Sequence, residues 1–308
     1  MSNRIISGMI FLSCLITLLC SCTVPEKELT PEEYAVHISE WDSTRLVRLR
    51  APDGWVNLAG LFWLREGDNS IGSAGSNNIV FPRGPEEVGY MRLEREQVWF
   101  SPAAALDIRT GGKRVYEEIS IFGGDQGTVT LTVDSLAFFI IKRGERIGIR
   151  LRDYLHPGLD AMTHIDRYKP DQGWIIRARL IEPAEDIFIR VPDILGDVSV
   201  EKVPGILEFE YGGETWELYP TGSRDRLFVI FADDTNATET YGAGRFLSAG
   251  AADRHGFVDL DFNKAYNPPC AFSPYATCPL PPRENFLPFK ITAGEKAPGL
   301  KFHGYPGF

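Results

Sequence analysis

Residues 261–285, DFNKAYNPPCAFSPYATCPLPPREN, concentrate reactive side chains in a segment too rich in proline to be a helix or strand. Asp261, Asn263, Lys264, Tyr266 and Asn267 supply a carboxylate, two amides, an ammonium and a phenol, and Cys270 and Cys278 add two thiols. Each proline fixes φ and removes a backbone donor, while Phe262, Tyr266, Phe272 and Tyr275 give the loop surface to bury. The segment therefore reads as a rigid loop packed on a scaffold and presenting polar groups, the setting in which binding and catalysis concentrate.

Two further groups can supply partners. Alternation along Ile147–Leu151 puts Ile147, Ile149 and Leu151 on one strand face and Gly148, Arg150 and Arg152 on the other. Two guanidinium groups on one face call for acidic neighbours or for a carboxylate or phosphate, which an arginine fork matches in bidentate fashion. Asp233-Asp234-Thr235 reads as turn chemistry, and Tyr241 and Arg245 follow it as pocket-lining candidates.

The cysteines leave more than one reading open. A Cys270–Cys278 disulfide would stabilise by about 2.6 kcal/mol on the chain-entropy model, but spacing does not show that the two backbones approach closely enough. Two buried thiols fit equally well, and a catalytic thiolate would need a base or cation nearby. No CxxC or HxxxH pattern supplies a zinc set, and His156, His164, Asp160 and Asp166 are more simply a solvated turn than a metal site. The glycines of Tyr241–Gly244 form neither a P-loop nor a dinucleotide fingerprint, and no G-x-S-x-G elbow occurs. Neither metal nor cofactor is expected.

The elements that must position these groups are mostly strands. Thr30-Pro31-Glu32-Glu33 is a helix start with an N-cap, a proline at N1 and a capping box. Tyr34, Ile38, Trp41 and Leu49 then recur at helical spacing, so residues 30–52 are expected to form a helix laid on the domain behind it. Strands are expected around 61–64, 88–93, 98–100, 106–108, 115–121 and 128–133, with a hairpin formed by 136–141 and 147–151. Residues 174–181 and 187–191 follow, and then a four-strand meander over 198–203, 206–211, 215–219 and 227–232. The pattern breaks near 153–173, which divides the chain into a first β subdomain at 53–165 and a second at 166–308. The expected fold is mainly β: antiparallel sheets in two packed, sandwich-like subdomains with one N-terminal helix.

Residues 1–21 read as a lipoprotein signal peptide. The apolar run is about fifteen residues, shorter than the roughly 20 a spanning helix needs, and Leu19-Cys20-Ser21-Cys22 has the pattern of a lipobox. Cys22 is the expected lipidation site, residues 22–29 a tether, and the bacterial cell envelope, at the outer membrane or periplasmic face, the expected location. The full chain has 32 basic and 42 acidic residues, a net charge of −10, and loses one more positive charge with Arg4. Such a surface disfavours nucleic acid and anionic headgroups, so membrane attachment rests on the lipid; the sequence leaves any protein partner open.

The run from Asp261 to Phe272, with Cys278-Pro279-Leu280-Pro281-Pro282 and Asn285, resembles the signature of the bacterial domain-of-unknown-function family 1684. Gly54-Trp55, Gly60-Leu61, Trp63-Leu64, Arg143-Gly144 with Arg150, Arg152 and Asp153, Tyr241-Gly242, Arg245-Phe246-Leu247 and Ala293-Gly294-Glu295 extend the likeness over Glu40 to Lys296. The one departure is Thr235-Asn236-Ala237, where the family pattern has Thr-Gly. The resemblance implies no established activity. More weakly, Leu64–Gly72 with Asn77-Asn78-Ile79-Val80 and Pro82 is similar to the opening of a forkhead-associated β-sandwich; Ser73 stands in place of its arginine and no Ser-x-x-His follows, which implies that its phosphothreonine site is missing. The functional expectation is a pocket beside the 261–285 loop, lined by Arg150, Arg152, Tyr241, Arg245, Asp261, Asn263, Tyr266 and Asn267, that binds a small polar or anionic ligand. The alternatives are a hydrolase using Asp261 as base or Cys270 as nucleophile, and a scaffold in an envelope complex.

Overall fold

The computed structural model describes residues 29–124 and 127–299. Cys22, the signal peptide and most of the tether lie outside them. The helix forms at Pro31–Arg50 with the expected capping box: Thr30 Oγ1 accepts from the Glu33 amide at 3.2 Å, and Glu33 Oε2 accepts from the Thr30 amide at 2.8 Å. It buries Tyr34, Ile38 and Leu49. Among the described residues no helix is long and apolar enough to cross a membrane.

The first half is a sandwich of two sheets. The six-stranded sheet runs in the order Leu58–Trp63, Arg146–Asp153, Leu136–Arg143, Leu131–Val133, Arg109–Thr110, Lys113–Arg114. The five-stranded sheet runs Ile79–Val80, Gly67–Gly72, Gly89–Glu94, Gln97–Pro102, Ile119–Phe122. Phe81, Phe100 and Phe138 meet between them, with ring centroids 5.8 Å apart along both contacts to Phe138. The hairpin at Leu136–Arg143 and Arg146–Asp153 forms in continuous register. Strands do not form at 106–108 or 115–118. Gly111 and Gly112, both at positive φ, instead tighten a small hairpin, with Ile108 and Val115 buried at its base.

Arg146–Asp153 is buried on both faces. Ile147, Ile149 and Leu151 enter the sandwich core. The opposite face, which a free sandwich would give to water, is covered by the segment around Tyr275–Thr277 and by Trp55, so Arg150 and Arg152 are buried as well. The neighbouring strand lies very close: a Cβ on Gly148 would meet the Phe62 carbonyl at 2.7 Å.

The second half has a four-stranded sheet in the order Glu214–Leu218, Ile206–Tyr211, Ile175–Ile181, Phe257–Asp261. It packs through Leu207, Phe209, Leu260 and Phe262 on Phe231 and Leu247, which belong to the sheet of Thr221–Ser223, Arg226–Asp233 and Arg245–Gly250. Phe188–Pro192 and Val198–Lys202 make a separate ribbon. The expected meander is thereby corrected: of its four strands only Ile206–Tyr211 and Glu214–Leu218 pair with each other as neighbours. Val203 is buried, Pro204 has no amide to continue a ladder, and Gly205 passes against the Leu180 side chain, so the chain changes sheets there. Among the described strands two pairings are parallel, Gly67–Gly72 with Ile79–Val80 and Arg226–Asp233 with Phe286–Leu287. The described strands up to Asp153 pair only with one another, as do those from Ile175 onward.

Candidate functional site

The N-terminal helix lies on the proline-rich loop and is pinned to it at three levels. Tyr34 Oη donates to Asp261 Oδ1 at 2.6 Å. Arg167 pairs with Asp42 of the helix and donates to the Asn263 carbonyl of the loop. Arg45 Nε meets Glu295 Oε1 at 2.9 Å, and its Nη2 donates to the Asn267 carbonyl at 2.8 Å. Glu295, 0% exposed, completes this ring by accepting from the Asn267 amide through Oε2 at 2.7 Å. The turn behind it needs Gly294, at φ 77°, where a Cβ would meet the Ala265 carbonyl at 2.5 Å.

Above these anchors, helix and loop leave a groove of about 360 Å³ lined by Trp41, Thr44, Arg45, Arg48, Ser248, Lys264 and Tyr266. The four helical residues sit at i, i+3, i+4 and i+7, one stripe of a helix. The Arg45 guanidinium stacks 4.6 Å from the Tyr266 ring centre, and the Trp41 and Tyr266 rings are 6.4 Å apart. Ser248 Oγ lies 3.5 Å from Tyr266 Oη. Lys264 is paired with Asp261 at 3.2 Å and Arg45 with Glu295, while among the described residues Arg48 has no carboxylate partner. The groove thus combines three cationic side chains, two aromatic faces and hydroxyl donors in a protein of net charge −10.

The residues expected to share one pocket are placed in four settings. Of them, Tyr266 lines the groove. Asp261, Asn263 and Asn267 support it from beneath. Asp261 Oδ1 accepts from Tyr34 and from the Asn263 amide and side chain, and its Oδ2 faces Lys264, so both oxygens are engaged. Asn263 holds Asp171 through its amide and carbonyl at 2.9 and 2.8 Å, and Asn267 Nδ2 donates to the Lys296 carbonyl at 2.7 Å. Burial and the hydrogen bond to Asp261 push the Tyr34 phenol well above its usual range.

Arg245 is elsewhere, 0% exposed in the core of the second half. It pairs with Asp233 at 2.6 Å and donates to the carbonyls of Ile291 and Ala293. Asp233 Oδ1 in turn accepts from the Thr235 amide and hydroxyl. Arg152 fastens the turn after the helix through Asn57 Oδ1 at 2.7 Å and the Gly54 carbonyl. Arg150 and Tyr241 flank the cysteines: Arg150 Nη2 reaches the Tyr275 carbonyl and Thr277 Oγ1, and Tyr241 Oη donates to the Cys270 carbonyl at 3.0 Å. Cys270 and Cys278 are free thiols. His156 is spent locally, its Nδ1 accepting from the Gly158 amide at 3.0 Å.

Residue-type reasoning passed over Thr44, Arg45, Arg48 and Ser248, and gave Trp41 to the helix core. The signal that would have found the helical four is their stripe, polar and aromatic together on a helix whose apolar face was already assigned.

Residues 160–296 match the model of a family described as protein of unknown function (DUF1684). This is narrower than the likeness from Glu40 to Lys296. It takes in Ser248, Lys264, Tyr266, Glu295 and both cysteines but not the helix. No curated protein matches the chain. Among solved structures, the solution NMR structure of the uncharacterised protein from gene locus rrnAC0354 of Haloarcula marismortui is 28% identical, with a TM-score of 0.37, covering 44% of this chain and 78% of that one.

Proposed function

We propose that this protein, whose residues 160–296 match the model of a family of unknown function, binds a small anionic ligand in the groove between the N-terminal helix and the proline-rich loop. The observation that carries the reading is Arg48, a cation that has no counter-ion among the described residues, at the edge of a cleft that already holds Arg45, Lys264 and two aromatic rings. A carboxylate or phosphate would take the Arg48 charge, and a planar or apolar body would lie against Trp41 and Tyr266. The volume suits a small molecule. A hydrolase with Asp261 as base is the weaker reading, because both carboxylate oxygens are already engaged. In the same proposal the protein is an envelope lipoprotein held by acylated Cys22, a reading supported by the lipobox; a fatty-acid label that persists in a Cys22→Ser variant would refute it.

Binding is tested by titrating inorganic phosphate, citrate and benzoate while following tryptophan fluorescence. Arg48→Ala is expected to weaken the best of these probes about 10-fold, the size of a charge-assisted hydrogen bond of about 1.5 kcal/mol, and added salt to weaken it further. An affinity that neither Arg48→Ala nor Trp41→Phe alters, or no binding by any of the three, would remove the groove as the site.

A further inference from the structure

The proline-rich loop holds a second arrangement that the groove does not use. Its chain turns back so that the Cys270 amide donates to Cys278 Sγ at 3.0 Å. Cys270 is half-buried and Cys278 is 2% exposed, so Cys270 is the more accessible of the pair. Tyr241 closes one side through its bond to the Cys270 carbonyl. Arg150, 4% exposed, lies near enough to Cys278 to interact with it electrostatically. Arg150 Nη2 makes two long bonds to neutral oxygens, at 3.3 and 3.4 Å, and its Nε has no partner. Among the described residues no carboxylate lies within ion-pairing distance of it. A buried guanidinium without a counter-ion is costly, and a thiolate at this pair would supply one.

We propose that Cys270 and Cys278 form a thiol–disulfide exchange site for small disulfides, in which Cys270 attacks, Cys278 resolves, and Arg150 stabilises the Cys278 thiolate as it forms. In the first step the Cys270 thiolate attacks one sulfur of the small disulfide. A protein–substrate S–S bond forms, the substrate S–S bond breaks, and the departing thiolate takes up a proton. In the second step Cys278 loses its proton and attacks the Cys270 sulfur, expelling the other half of the substrate as a second thiol. One small disulfide gains two electrons and two protons, and the two protein thiols become one disulfide. The electrostatics agree with this division. Hydrogen bonding from Cys278, opposed by burial and helped by Tyr241, draws the Cys270 thiol down. Donation to Cys270, and then burial, push Cys278 up. Burial first, then the charges of Arg143 and Arg152, lowers Arg150 to about 10.

The test uses the full chain, reduced and then exposed to oxidised glutathione in the native state, with products read by intact mass and peptide mapping. Wild type is expected to form an internal Cys270–Cys278 disulfide that dithiothreitol reopens without denaturant. Cys278→Ser should stop at a glutathione adduct on Cys270, and Cys270→Ser should react at least about 10-fold more slowly. Arg150→Gln should leave attack by Cys270 in place but slow closure of the Cys270–Cys278 disulfide about 10-fold at neutral pH, so that the glutathione adduct on Cys270 accumulates. If Arg150→Gln does not fold, the wild-type pH midpoint decides alone, since a reactive Cys270 titrates below the free-thiol value of about 8.5. Native thiols that ignore oxidised glutathione, an adduct on Cys278 instead of Cys270, a midpoint at or above the free-thiol value, or a disulfide reducible only after unfolding would each overturn the proposal.

Discussion

Arg245 is a charged side chain turned wholly into structure. Its guanidinium is matched by the Asp233 carboxylate and by two backbone carbonyls from the 291–293 segment, so it ties three stretches of chain together inside the core. Removing it would leave Asp233 buried with its charge unpaired. Arg245→Met is therefore expected to destabilise the fold by about 3–5 kcal/mol, read as a lowered urea midpoint, with no loss of probe affinity in the fraction that remains folded. A variant as stable as wild type would mean that Asp233 finds another partner. The same residue shows what a sequence hides. Arg45, Arg150, Arg152 and Arg245 are one residue type, yet one lines a groove, one lacks a counter-ion beside two thiols, one fastens a turn and one is sealed in the core. Residue type and spacing showed that polar and cationic groups cluster around the 261–285 loop. They could not apportion them, because a guanidinium's role is set by which carboxylates and carbonyls the fold brings within 3 Å of it.

At the scale of elements, legibility followed the range of the forces involved. The helix start was readable because Thr30, Pro31 and Glu33 cap it among themselves. The hairpin at 136–153 was readable because Arg143-Gly144-Glu145 is a turn flanked by two alternating runs. The meander misled because its strands were right and only one of its three pairings was: Ile206–Tyr211 pairs with Glu214–Leu218 as expected, but its other neighbour is Ile175–Ile181, and Val198–Lys202 pairs with Phe188–Pro192. Pairing depends on which edge a strand meets after a turn, and Val203-Pro204-Gly205 sends the chain across to another sheet. The helix is also the element that completes the groove, supplying Trp41, Thr44, Arg45 and Arg48 to a loop more than two hundred residues away. Only docking could reveal that, since nothing local to either segment encodes the other.

Across the whole molecule, phenols buried where segments meet make the fold sensitive to alkali. Tyr34 sits between helix and loop and Tyr241 beside the cysteines; burial, with the bond to Asp261 or the charge of Cys270, raises both. Tyr168, by burial and then Glu239, and Tyr219, by Glu217 and then burial, are pushed up to about 12. A folded value above the unfolded one of about 10 means that the native state keeps protons the unfolded state has lost. The stabilisation is complete below pH 10 and drains away as pH rises above it, by about 12 for Tyr168 and Tyr219 and at still higher pH for Tyr34 and Tyr241. The urea midpoint should accordingly fall between pH 9 and pH 11 (roughly the onset and middle of this titration), and fall less in Tyr34→Phe. An unchanged midpoint, or an equal fall in the variant, would put the sensitivity in other groups. The sequence by itself determined a mainly β chain with one capped helix, a change of pattern near residue 160 and a proline-rich loop loaded with polar groups, because capping, alternation and turn chemistry act over a few residues. Tertiary structure alone decided that this loop lies between two halves of the molecule. There it covers the second face of Arg146–Asp153, receives the N-terminal helix and sets two thiols beside a buried arginine, since such contacts depend on which faces are left to be buried once each sheet has formed.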